Sequence, residues 1–135
     1  MRAIKIVAAG FIGLIGLLAF LNNLANLGTA HAVVSAVVSA PEQPYYKIMG
    51  PTVSSAWLAW VALFTIMAGE LAAGVMGFFG ALRLLKSRAE DPAGFHKAKS
   101  CAIVAGAIGM FVWYGFFIVI GEMYFNMWQT EIGPM

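Results

Sequence analysis

Glu70 and Glu122 are the residues of this chain best suited to chemistry, because each stands inside a long apolar run where a carboxyl group can hold a proton, an ion or a ligand head. Glu70 lies 14 residues into the run Ala56–Leu85, within a turn of its middle. An ionised acid at the centre of a membrane helix costs about 2.5–3.5 kcal/mol, so Glu70 is expected to be protonated, paired, or turned toward a polar interior. The first cation of its own run, Arg83, is thirteen residues further on, about 20 Å by helical rise. An ion-pair partner would therefore come from another chain.

Glu122 stands six residues before Trp128, about 9 Å below the outer end of its run. Asn22 and Asn23 occupy a comparable depth at the outer end of the first run. Glu122, Asn22 and Asn23 are therefore expected to form one polar site, since an asparagine amide donates to a carboxylate without bringing a charge into the membrane. Two roles suit such a site: hydrogen-bonded attachment of one helix to another, or binding of a ligand, a quinone head or a proton.

Other chemistry is thinly represented. Cys101 is the single cysteine, which excludes an internal disulfide and a multi-thiolate metal site. Met123 and Met127, four residues apart, are with His31 of the type that binds copper(I), but methionine at helical spacing in a membrane span ordinarily packs. His31 and His96 fall on opposite sides of the membrane in the topology set by the basic residues. No phosphate loop, Ser-His-Asp arrangement or catalytic thiol pair stands in the sequence. No cofactor and no metal are called for.

The elements that must carry these residues are dictated by composition. Of 135 residues, 61% are hydrophobic and 10% charged, against about 25% charged for an ordinary soluble domain. The apolar residues gather in Ile4–Leu27, Ala56–Leu85 and Cys101–Trp128, each longer than the roughly 20 residues that cross a bilayer as helix. The expected fold is an all-α integral membrane protein in a single domain: three transmembrane helices over about 4–27, 56–85 and 101–128, and a short interfacial segment in the outer connection 28–55. The first run is far longer than the ~7–15 apolar residues of a secretory signal, so it is read as a retained span and Ala30-His31-Ala32 is not taken as a cleavage site.

Seven of the eight Lys and Arg residues lie at the N-terminus or around the connection 86–100, and Lys47 alone lies in the other connection. The positive-inside rule then puts the N-terminus and the second connection in the cytoplasm and the C-terminus outside. Trp57, Trp60, Trp128 and Gln129 cluster at the outer ends of the spans as an interfacial belt. The net charge of +2 reflects this topology and implies no nucleic acid; the basic loop Arg83–Lys99 is suited to touching anionic lipid heads.

Within the outer connection, His31, Ser35 and Ser39 recur every fourth residue among valines and alanines, which favours a short helix lying on the membrane surface or capping the bundle and ended by Pro41 and Pro44, although the four valines also suit a strand. Gly10, Gly13 and Gly16 in the first run, Gly69, Ala73, Gly74, Gly77 and Gly80 in the second, and Gly106 and Gly109 in the third form small-residue stripes of the kind that let membrane helices approach closely, with Ala73-x-x-x-Gly77 and Ala105-x-x-x-Gly109 at four-residue spacing.

Three stretches together carry a resemblance: Asn22-Asn-Leu, Gly80-Ala-Leu-Arg-Leu-Leu followed by Phe95-His-Lys-Ala-Lys, and Gly121-Glu-Met-Tyr-Phe-Asn-Met-Trp-Gln129. They resemble a bacterial family of predicted small integral membrane proteins, a domain-of-unknown-function family. The resemblance carries over Asn23, Glu70, Glu122, Trp128 and Gln129 as family-like positions and implies a bacterial inner or intracytoplasmic membrane. It implies no activity. Such proteins usually continue past the Trp-Gln stretch into a fourth membrane helix, whereas here the sequence stops at Met135.

The functional expectation is a non-catalytic accessory or structural subunit of a larger membrane complex, such as a respiratory or other redox enzyme, with larger integral membrane proteins and lipid as partners. The alternative is a small homo-oligomeric carrier or channel in which Glu70 from several copies forms a midplane site. An enzyme acting on lipid or quinone is disfavoured, because two carboxylates are unaccompanied by a nucleophile.

Overall fold

A computed structural model describes residues 1–41 and 43–131. It is all-helical among the described residues, with α1 over Arg2–Ala25, α2 over Leu27–Ser39, α3 over Ala56–Lys86, α4 over Pro92–Lys97 and α5 over Ser100–Met110. Three helical stretches are long and apolar enough to cross a membrane, Arg2–Ala25, Ala56–Ala89 and Pro92–Tyr124, and Leu27–Ser39 is a shorter apolar helix. A further membrane helix after the Trp-Gln stretch would begin past Glu131, outside the described residues.

Glycine sets the packing of α1 on α3. A methyl added at Gly16 would sit 2.5 Å from the Gly74 nitrogen, and one at Gly77 would sit 2.5 Å from the Gly13 nitrogen. The two backbones are therefore in contact, which only residues without Cβ allow. The helices run antiparallel, and the register extends inward to Arg2, whose guanidinium donates to the Arg88 and Glu90 carbonyls at 2.7 Å each. A neighbouring face of α3 receives the third span, with Gly80 against Ala102 and Gly69 against Val112, and Gly106 of that span approaches Ile12 of α1. α3 is thus the central helix, and its buried residues include Leu63, Met67, Glu70, Gly74, Gly77 and Leu84.

The first long helix does not stop at its asparagines. Asn26 breaks it with φ −119° and ψ 37°, and α2 resumes at Leu27. α2 stays beside α3, because His31 stacks on Trp60 with ring centroids 4.0 Å apart and the Val53 amide donates to the Val38 carbonyl at 2.8 Å. Ala40 closes α2 in the left-handed conformation, φ 42°, and Pro41 cannot extend it. At the start of α3, Ser55 takes the N-cap position but its side chain makes no cap bond.

The third span departs from a uniform α-helix. From Phe111 to Tyr124 it is a π-helix, continued by a bond from the Phe125 amide to the Ile120 carbonyl at 3.0 Å. The wider turn brings residues five apart onto one face, so the rings of Phe111 and Phe116 meet edge to face at 5.3 Å.

Both ends are tied. On one side Asp91 caps α4 by accepting from the Gly94 amide at 2.8 Å, and Phe95 is buried against Ala9, Leu84 and Ala98 beneath the Arg2 guanidinium, 4.8 Å from its ring. The N-terminus and the basic connection therefore occupy the same side of the molecule. On the other side Gln129 grips the long connection: its Oε1 accepts from the Tyr46 amide at 2.8 Å and its Nε2 donates to the Tyr46 carbonyl at 2.6 Å.

Candidate polar site between the helices

The close contact at Gly16 and Gly74 brings side chains of α1 within reach of α3 two turns further along. There the Asn23 amide donates to both oxygens of Glu70, at 3.1 Å to Oε1 and 2.9 Å to Oε2. Glu70 is 2% exposed and stands 14 residues after Ala56 and 16 before Lys86, at the middle of α3. A neutral amide thus satisfies the carboxyl group from within the same chain, and no ion pair is used.

The structure divides the site expected from sequence. Asn23 belongs with Glu70 and not with Glu122, because α1 continues through the asparagines into α2 and carries them to the middle of α3. Asn22 is exposed and accepts from the Asn26 amide, at 2.9 Å on its carbonyl and 3.2 Å on its side chain. Glu122 is half-buried, ten residues beyond Val112, which faces Gly69. Its carboxyl has no side-chain hydrogen bond among the described residues. The pairing of Glu70 is nonetheless encoded in the glycines: setting Gly13 and Gly16 against Gly77 and Gly74 in antiparallel register brings Asn23 within a turn of Glu70.

Beyond this pair the outer halves of α1 and the third span part. A cleft of about 280 Å³ opens there, lined by Asn22, Asn23, Asn26, Thr29, Leu63 and Phe117. A second, apolar cleft of about 100 Å³ adjoins it, with Val37, Val38, Ile120 and Phe125 in its walls. The two share Val33, Val34, Ile66 and Phe117. Asn26, Thr29 and Phe117 are site residues that the sequence reading misses; the four-residue spacing of Asn22 and Asn26 is the available signal.

The remaining candidates sit at the outer end. The His31 ring donates to the Ala56 carbonyl at 3.2 Å while lying on Trp60, which also stacks on Phe64 at 5.6 Å. Trp57 is exposed, and Trp128 is half exposed against Tyr46, with ring centroids 5.8 Å apart. Met123 points outward, whereas Met127 covers Gly121. The Arg83 guanidinium donates to the Cys101 sulfur at 3.1 Å. Among the described residues no three His, Cys, Asp or Glu side chains converge as a metal site. At mid-depth on the third span, two residues beyond Val112, Tyr114 is 60% exposed and its hydroxyl has no hydrogen bond among the described residues.

These features define a multi-pass helical membrane protein with a buried carboxyl–amide pair at its centre. The chain belongs to the family described as predicted small integral membrane protein (DUF2165), whose model matches residues 1–133. No curated protein and no solved structure matches it.

Proposed function

We propose that this chain is a non-catalytic subunit that works by binding side by side to a larger integral membrane protein. The observation that carries the reading is Tyr114, a phenol exposed at mid-depth on the third span. Leaving such a hydroxyl without an acceptor in hydrocarbon costs about 1–3 kcal/mol, and a neighbouring helix supplies the acceptor that lipid lacks. Exposed Met110, Phe111 and Ile118 surround it and offer an adaptable apolar surface to that helix.

A carrier built from copies of this chain is less well supported. Glu70 lies between two helices of one chain, where it meets Asn23 and cannot converge with its counterparts. The glycines of α1 and α3 are likewise engaged internally, so lateral association rests on the third span and not on the glycine stripes. In this reading the chain sits in a bacterial inner or intracytoplasmic membrane with its N-terminus and basic connection in the cytoplasm.

The test is a photoreactive amino acid at position 114, with position 14 on the exposed face of α1 as the lipid-facing control. Irradiation of intact cells is expected to join position 114, and not position 14, to a different and larger polypeptide. Adducts at multiples of 14.4 kDa alone would refute the subunit reading and favour the homo-oligomer.

A further inference from the structure

We propose that the cleft between the starts of α1 and α5 holds an anionic phospholipid, with Lys5 and Lys99 on its phosphate and an acyl chain lying below them. The two lysines line one cleft of about 290 Å³, and their ammonium groups stand within hydrogen-bonding reach of each other. Like charges repel at that distance, so an anion is the partner that the pair lacks. No carboxylate supplies it among the described residues. In the adjoining connection Glu90 accepts from the Ser87 hydroxyl at 2.9 Å and Asp91 accepts from the Gly94 amide at 2.8 Å, and neither lines the cleft. Lys99 is also held in place: its Nζ is 3.1 Å from His96 Nδ1 and 5.8 Å from the centroid of the buried Phe95 ring. The donors are thus positioned before a ligand arrives.

Chain direction sets the polarity of the cleft. α1 and α5 both start on the side that carries the basic connection, and both lead from there into the apolar body of the molecule. Below the lysines the walls are Ala8 and Ile12 of α1 and Ala102 and Ile103 of α5. Cations therefore stand at the rim and hydrocarbon lies deeper, the order in which a lipid presents its phosphate and its chain. Ile12 is seven residues past Lys5, about 10 Å by helical rise, against about 15 Å for half of the hydrocarbon core. The alanines leave a gap between the helices that larger side chains would fill. A zwitterionic head brings its own cation to the two lysines, whereas phosphatidylglycerol brings only the negative charge that they match. Lys86 and Lys97 line a separate cleft together with Glu90, so the site is distinct from the general positive charge of the connection. The inference does not rest on the subunit reading, whose Tyr114 lies further along the third span.

The experiment follows the Tm of the full-length chain in an uncharged detergent with dioleoylphosphatidylglycerol, dioleoylphosphatidylcholine or glycerol phosphate added. Phosphatidylglycerol is expected to raise the Tm, and the other two are expected to leave it unchanged. Lys5→Gln combined with Lys99→Gln should weaken the binding about tenfold or more. Lys86→Gln combined with Lys97→Gln removes the same charge from the same side and should leave it intact. Ala8→Trp, which fills the cleft without altering a charge, should weaken it as well. Lys5→Glu separates the site from a merely structural role: by giving Lys99 an acid it should raise the lipid-free Tm while abolishing the response to phosphatidylglycerol. Equal stabilisation by phosphatidylcholine or glycerol phosphate, no stabilisation by phosphatidylglycerol, equal losses in the two double variants, or a response that survives Lys5→Glu would overturn the proposal.

Discussion

The Asn23 amide donates to both carboxyl oxygens of Glu70, at 3.1 and 2.9 Å, across the contact between α1 and α3. The pair explains how an acid is accommodated at the middle of the central helix without a cation. It depends on the glycine contact beside it, for an asparagine side chain is short and spans the gap only where the two backbones touch.

That dependence predicts the effect of the smallest substitutions. Gly16→Ala and Gly74→Ala would each place a methyl within 2.5–2.7 Å of backbone nitrogen on the facing helix, and backbone cannot give way as a side chain does. Each is expected to destabilise the chain by about 1–3 kcal/mol in detergent unfolding. Gly28→Ala, where a methyl meets nothing within 4 Å, should be neutral or stabilise by up to about 1 kcal/mol through helix propensity. Equal effects at positions 16 and 28 would contradict the close contact.

Gln129 should hold the outer connection. Its side chain bonds both the amide and the carbonyl of Tyr46, so Gln129→Leu removes both bonds at once. Hydrogen exchange at the Tyr46 amide is expected to rise about fivefold or more, the equivalent of about 1 kcal/mol. Gln129→Glu keeps the acceptor and loses the donor, and should fall between. Unchanged exchange in Gln129→Leu would mean that the contact does not order the connection.

Orientation is testable with two cysteines. In a Cys101→Ser background, Lys47→Cys and Lys97→Cys place thiols at exposed positions on opposite sides of the molecule. An impermeant maleimide added to intact cells, given access to the periplasm, should label position 47 and spare position 97, as the distribution of Lys and Arg requires. The reverse pattern would invert the topology.

The three spans are legible in the sequence because apolar length and the Lys/Arg partition are physical requirements of a bilayer. The helix in the outer connection is legible too, from the four-residue recurrence of His31, Ser35 and Ser39. The partner of Glu70 is not. Depth counted from the ends of each apolar run sets the asparagines beside Glu122, but α1 does not end where its apolar run does: Asn26 interrupts the helix without turning it away from α3. Register between helices is fixed by where backbones touch, so the glycine positions carry the answer that the distance from a boundary cannot. The π-helix from Phe111 is illegible for a different reason. Its hydrogen-bond shift leaves no signature in residue type, and the apolar pattern of the third span fits either helix.

The most direct measurement of the central claim, that Glu70 is bonded to Asn23 within one chain and holds α1 to α3, is a double-mutant cycle in unfolding stability using Asn23→Leu, Glu70→Leu and the combination. A buried acid that loses its donor, or an amide that loses its acceptor, should cost more than removal of both together. The predicted result is a coupling of about 1–2 kcal/mol, with the double variant more stable than the sum of the single losses allows. Additive losses, with no coupling between the two positions, would contradict it and return Glu70 to the reading in which it serves a site shared between copies of the chain.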